Sequence, residues 1–151
     1  MKKALLLTFS FALFVAFGFS QTGKYCTANL ENRSAIIKHK AVARLTFPSE
    51  FKLFNLDLAS MKQQLYKVVD NAVSHTAIIS LPNADGGFEN FEIVEASNFD
   101  PALQARFPQI RAYSGRSLRN GADMLKLSIS PQGVQTMVFR SNGPNEYMEP
   151  Y

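Results

Sequence analysis

The sequence predicts an α+β fold: an antiparallel sheet of several strands with two short helices, after an N-terminal signal peptide. Three observations carry this. Period-two alternation recurs in short runs, most clearly from Met124 to Ser130, where Leu125, Leu127 and Ile129 share one side. Clusters of Pro, Asn, Asp and Gly separate these runs at hairpin distances. Helical signals occur in two stretches, each opening on an Asp able to cap it. A chain of 151 residues is one domain with a single modest core. Its ordinary apolar content of 46% argues against disorder.

Residues 1–20 read as the signal peptide. Lys2 and Lys3 form a positive start, and Ala4 to Phe19 is an apolar run of sixteen residues broken only by Thr8, Ser10 and Gly18. Gly18 and Ser20 are the small residues a signal peptidase needs, which places cleavage between Ser20 and Gln21. The run is short for a membrane span, so contact with the membrane is expected only in transit. The protein is then exported, either outside the cell or to a periplasm. Loss of Lys2 and Lys3 leaves 14 basic against 12 acidic residues, too even a balance to imply a polyanion partner.

Residues 21–35 are polar and aperiodic and read as a flexible lead-in, with 36–151 as the folded domain. From Ala41 to Phe47 the residues alternate, giving a half-buried strand ended by Pro48. Phe51 to Leu56 is a second strand, apolar on both sides. Asp57 caps a helix running to Val69, with Leu58, Met61, Leu65 and Val68 on one face. Leu56 and Met61 occupy the staple positions around that cap, and Ser60 with Gln63 is a rival capping box three residues on.

The centre of the chain is the stretch from Ile78 to Gly115. Ile78 to Pro82 and Phe88 to Glu95 flank Asn83-Ala84-Asp85-Gly86-Gly87, which reads as a hairpin with a five- or six-residue loop. Asp100 and Pro101 open a helix of about two turns that Pro108 stops. Ile110 to Gly115 is a short strand. Met124 to Ser130, the turn Pro131-Gln132-Gly133, and Val134 to Arg140 form another hairpin, and Asn145 to Met148 begins a last strand, inside which the chain stops. An end there is expected of a domain cut short.

An ordered series of short motifs runs through this region: Ser80-Leu81-Pro82, Asp85-Gly86, Phe88-x-x-Phe91-x-Ile93-Val94-Glu95, Pro101-Ala102-Leu103, Phe107-Pro108-x-Ile110, and Tyr113-Ser114-Gly115. It continues through Ser130 to Val138 and ends at Glu146-Tyr147-Met148-Glu149-Pro150-Tyr151. The series resembles the N-terminal pro-region of secreted bacterial reprolysin-like (adamalysin-type) zinc metallopeptidases, from about Leu53 to Tyr151. The resemblance implies a pro-domain that assists folding and keeps a following catalytic domain latent. Its partner is that catalytic domain, in the same chain, where the zinc would lie; no cofactor is expected in this segment. The alternative is a free-standing exported binding module for a surface protein or a glycan.

The residues themselves hold no reprolysin catalyst. His39 and His75 are the two His, far apart, with no Glu adjacent and no His-Glu-x-x-His. Glu89, Glu92 and Glu95 read as a solvated strand face, since at most Glu89 and Glu95 share a side. Asn83, Asp85 and Gly86 read as a plain turn, not a calcium loop. Arg106, Arg111 and Arg116 interleave with Tyr113 near Arg119. The bland reading is a protected edge; the functional one is contact with a protein partner, and nucleic acid does not fit an exported chain. Cys26 is the lone cysteine. Pro-regions of animal relatives of the resembled family can hold zinc through a Cys thiolate, but the setting Lys24-Tyr25-Cys26-Thr27 lacks their Arg/Gly pattern. An idle or later-paired thiol is the reading here, with the switch as its alternative.

Overall fold

A computed structural model of the protein describes residues 23–30, 48, 50–68 and 75–150. The signal segment with Ser20 and Gln21, the strand expected from Ala41 to Phe47, and His39 lie outside the described residues.

The hairpin expected at the centre of the chain is formed by β4 (Ala77–Pro82) and β5 (Phe88–Glu95). Its loop is closed by backbone bonds from Asn83 N–H to Gly87 O and from Gly86 N–H to Asn83 O, and the Asn83 side chain accepts from Gly87 N–H at 2.8 Å. Gly86 supplies the positive φ of 87° that the turn needs. A meander follows: β6 (Arg111–Ser117), β7 (Met124–Ser130), β8 (Gly133–Phe139) and β9 (Glu146–Met148), each antiparallel to the one before. Helix α2 (Pro101–Arg106) bridges β5 and β6, with Asp100 accepting from Leu103 N–H and Pro101 in its first turn.

The sequence reading takes residues 21–35 as a flexible lead-in, and the structure departs from it at residues 23–29. Gly23–Lys24 form β1, which pairs in parallel with β4, and Cys26–Asn29 form β2, antiparallel to β3 (Leu53–Leu56). These pieces are too short for any periodicity of their own; pairing with a distant strand makes them strands. The result is a seven-stranded sheet in the order β1-β4-β5-β6-β7-β8-β9 and a two-stranded one, β2-β3. The α+β class stands.

Helix α1 (Leu58–Leu65) starts at Asp57, whose carboxylate accepts from Ser60 N–H at 3.0 Å, so the rival start is not used. It stops four residues earlier than expected, at Leu65, but Val68 still reaches the core through two further turn bonds. Met61, Leu65 and Val68 pack on Ile79, Leu81, Phe91, Ile93, Leu125, Leu127, Ile129, Val134 and Val138 from the sheet, with Leu56 and Leu58 at the rim. Each such side chain, fully buried, contributes roughly 1.5–3 kcal/mol. Tyr113 lies within this core and donates its hydroxyl to Leu65 O at 2.9 Å, pinning the helix end to the sheet.

Close packing in the middle of the sheet depends on Gly115. A Cβ there would stand 2.7 Å from both Glu92 O and Ile93 Cγ2. Gly115→Ala should therefore destabilise the fold by about 2 kcal/mol. Urea unfolding checks this, and an unchanged midpoint would show that the strands separate freely at this point.

Candidate functional site

Alternation along β5 sends Glu89, Phe91, Ile93 and Glu95 to the core side. Glu89 is therefore buried, 3% exposed, where a solvated face was expected. A buried carboxylate must be paired. Ser117 Oγ donates to it, Arg119 reaches it at 3.1 Å, and Arg140 at 2.9 Å. Arg140 is the hub. Its guanidinium also meets Asp123 at 3.0 Å and Glu146 at 2.8 Å, joining the end of β8 to β5, to the turn before β7 and to β9. Glu146 in turn accepts from Ala84 N–H at 3.1 Å in the β4–β5 loop.

Asp123 is saturated with donors: Ser141 N–H at 2.9 Å, Ser141 Oγ at 2.7 Å, Asn120 Nδ2 at 3.0 Å and Arg140. These bonds, those from Ser141 foremost, hold its carboxyl down at about 2. Glu146, more than Asp123 or Glu89, reinforces the charge on Arg140. Every carboxylate of the cluster is engaged by protein donors, so no acid–base pair faces a cleft. The arrangement fastens loops. Among the described residues there is no group of three or more His, Cys, Asp and Glu able to hold a metal ion.

The partner-contact residues expected from sequence do not form one surface. Tyr113, expected on the surface, is 1% exposed, because it falls on the core-side parity of β6. Arg111 shares that side and is half-buried, bonded to Glu95 at 2.5 Å and lying 5.7 Å from the Tyr66 ring. Arg106 is exposed on α2 over Phe107. Arg116 points from the opposite face of the sheet. Glu92 is exposed and Glu95 is engaged with Arg111, so the three Glu separate into two faces. Cys26 is buried on β2, and burial pushes its thiol above the usual value. His75 is exposed.

Sequence reading missed Arg140 and Asp123 altogether, and missed the face opposite the core. Helix α1 covers one side of the sheet. Six of the eight large apolar side chains exposed among the described residues belong to the other: Phe88, Val94, Leu118, Met124, Phe139 and Tyr147. Beside them a cleft of about 610 Å³ is lined by Asn98, Lys126, Ser128, Gln135, Met137 and Tyr147, among others.

The fold is an α+β one, and among the described residues one face of its sheet carries no helix. In comparisons with known proteins, no family model, no curated protein and no solved structure matches this chain.

Two outcomes test the ion cluster. Arg140→Met strands Glu89 and Asp123 in a buried setting and should cost about 3 kcal/mol in denaturant unfolding. Arg140→Lys should recover only part of that, since an ammonium cannot span three carboxylates. Asp123 carries a folded-state pKa below its unfolded one, so its contribution is full above about pH 4 and is lost as pH falls towards 2. Asp123→Asn should flatten stability against pH in that window. An unchanged slope would remove Asp123 from the acid sensitivity.

Proposed function

We propose that this chain is the export signal and pro-domain of a secreted zinc metalloendopeptidase precursor, of the reprolysin-like type. The pro-domain assists folding of the catalytic domain and keeps it latent until it is cut away. The observation that carries this reading is the ordered motif series from Ser80 to Tyr151. The motifs from Ser80 to Pro150 fall along β4 to β9 of one antiparallel meander, on its strands, on α2 and on the turns between them. The charged N-terminal start, the apolar run and the small residues before Gln21 support export. Latency needs only modest affinity, because linkage in one chain raises the effective concentration to roughly millimolar. A micromolar contact would then leave about one molecule in a thousand open.

The gene beyond codon 151 is the first test: a continuing frame with a His-Glu-x-x-His segment is expected. A stop there returns the chain to a free-standing binding module. The secreted precursor should begin at Gln21 by intact mass, show no peptidase activity, and gain it on proteolytic release of this segment. Full activity in the uncut precursor would defeat the inhibitory role.

A further inference from the structure

The sequence contains Asn-Gly twice, at Asn120-Gly121 and Asn142-Gly143, and both pairs lie in exposed turns beside the Arg140 cluster. Glycine carries no Cβ, so the backbone nitrogen after such an Asn can approach its side-chain carbonyl carbon unhindered. The two glycines are equally open: a Cβ at Gly121 or at Gly143 would meet nothing within 4 Å. The two asparagines are not equally held. Asn120 donates through Nδ2 to Asp123 Oδ1 and to Ser141 Oγ, both at 3.0 Å, and its Oδ1 accepts from Ala122 N–H at 3.3 Å. Its backbone N–H donates to Ser117 Oγ, and its carbonyl accepts from Asp123 N–H. The Asn142 side chain is exposed and makes no hydrogen bond among the described residues. Gly143 stands at a φ of 114°, so the turn itself demands glycine after this Asn.

We propose that Asn142 is a self-modification site that converts spontaneously to aspartate and isoaspartate, and that Asn120 is a second such site held back by the Arg140 cluster. The Gly143 nitrogen gives its proton to hydroxide and attacks Cγ of Asn142. The new N–C bond forms, the Cγ–Nδ2 bond breaks, and the amide nitrogen takes a proton from water and leaves as ammonia, which regenerates the hydroxide. The succinimide so formed adds water at either carbonyl. Opening at one carbonyl restores the main chain with an aspartate side chain. Opening at the other routes the main chain through the former side chain and leaves isoaspartate. The net change is amide plus water to acid plus ammonia.

The position of Asn142 gives this conversion a structural consequence. Its turn joins β8 to β9 and is anchored on both sides. Just before it, Ser141 donates its N–H and its hydroxyl to Asp123. Just after it, Asn145 Oδ1 accepts from Arg140 N–H at 3.1 Å, and Glu146 meets the Arg140 guanidinium. Isoaspartate inserts an extra main-chain carbon between these anchors. Loop length fixes the register of a hairpin, and β9 offers only three residues to hold against that change. Conversion therefore loosens β9 while the centre of the sheet stays as it is. The inference concerns this chain alone and stands whatever its partner is.

The test ages the full, folded chain at mildly alkaline pH in heavy-oxygen water and maps its peptides by mass spectrometry. Asn142 should convert at least about 10-fold faster than Asn120, since freeing the Asn120 side chain breaks several hydrogen bonds. Both acid forms should carry the heavy oxygen, and in denaturant the difference between the two sites should disappear. Arg140→Lys, which loosens the cluster, should speed conversion of Asn120 by about 3-fold or more in the folded chain. Amide exchange across Glu146–Met148 should rise at least about 3-fold in the aged chain and stay level across β6 and β7. Asn142→Gln, whose longer side chain closes the ring poorly, should abolish that rise. If Asn142 keeps its amide in the folded chain while denatured chain converts, the proposal is overturned. Equal conversion of Asn120 and Asn142 in the folded chain would overturn it too, as would conversion of Asn142 with exchange at β9 unchanged.

Discussion

A pleated strand sends alternate side chains to opposite faces, and here the described helix packed on the sheet, α1, covers only one of them. Much of the rest follows from that one-sided cover. The parity that buries Phe91 and Ile93 also buries Glu89, two residues earlier on the same strand. It turns Tyr113 inward, where its hydroxyl finds Leu65 O, and turns Arg116 outward. The same alternation leaves Met124 and Phe139 side by side on the face away from α1.

The buried ions are the cost of this parity at the end of the sheet. An ion pair taken out of water is weak evidence of net stabilisation, since desolvation offsets most of its attraction. Its effect on register is easier to see. Sliding β5 by one residue would carry Glu89 to the open face and leave Arg140 facing only Asp123 and Glu146. Arg140 therefore discriminates between registers that hydrophobic burial alone separates less sharply.

Much of the architecture was legible because local signals and tertiary demands agree. Asp57 and Asp100 cap the helices that their positions imply, and β7 matches its alternating run residue for residue. β1 and β2 were not legible, because strands of two and four residues owe their existence to β4 and β3. The ion cluster was half legible. Glu89 and Glu95 were placed on one side, but period two does not say which side is buried when charges and Phe alternate. Arg140 gave no signal, as a cation at a strand end reads as solvated. The apolar residues away from α1 are invisible as a group in any single strand: they come together only once register sets the strands side by side.

The outermost strands of the large sheet are its shortest. β1 contributes two residues, and β9 three, with Pro144 shortly before it and Pro150 shortly after. Proline offers no N–H to a neighbouring strand, and two or three residues are too few to template another chain. Sheet extension from molecule to molecule, the route to fibrils, is thus poorly supported at either edge. Contact between molecules through the apolar face would then not readily be converted into a continuous sheet, because the outermost strands give a growing ladder little to build on.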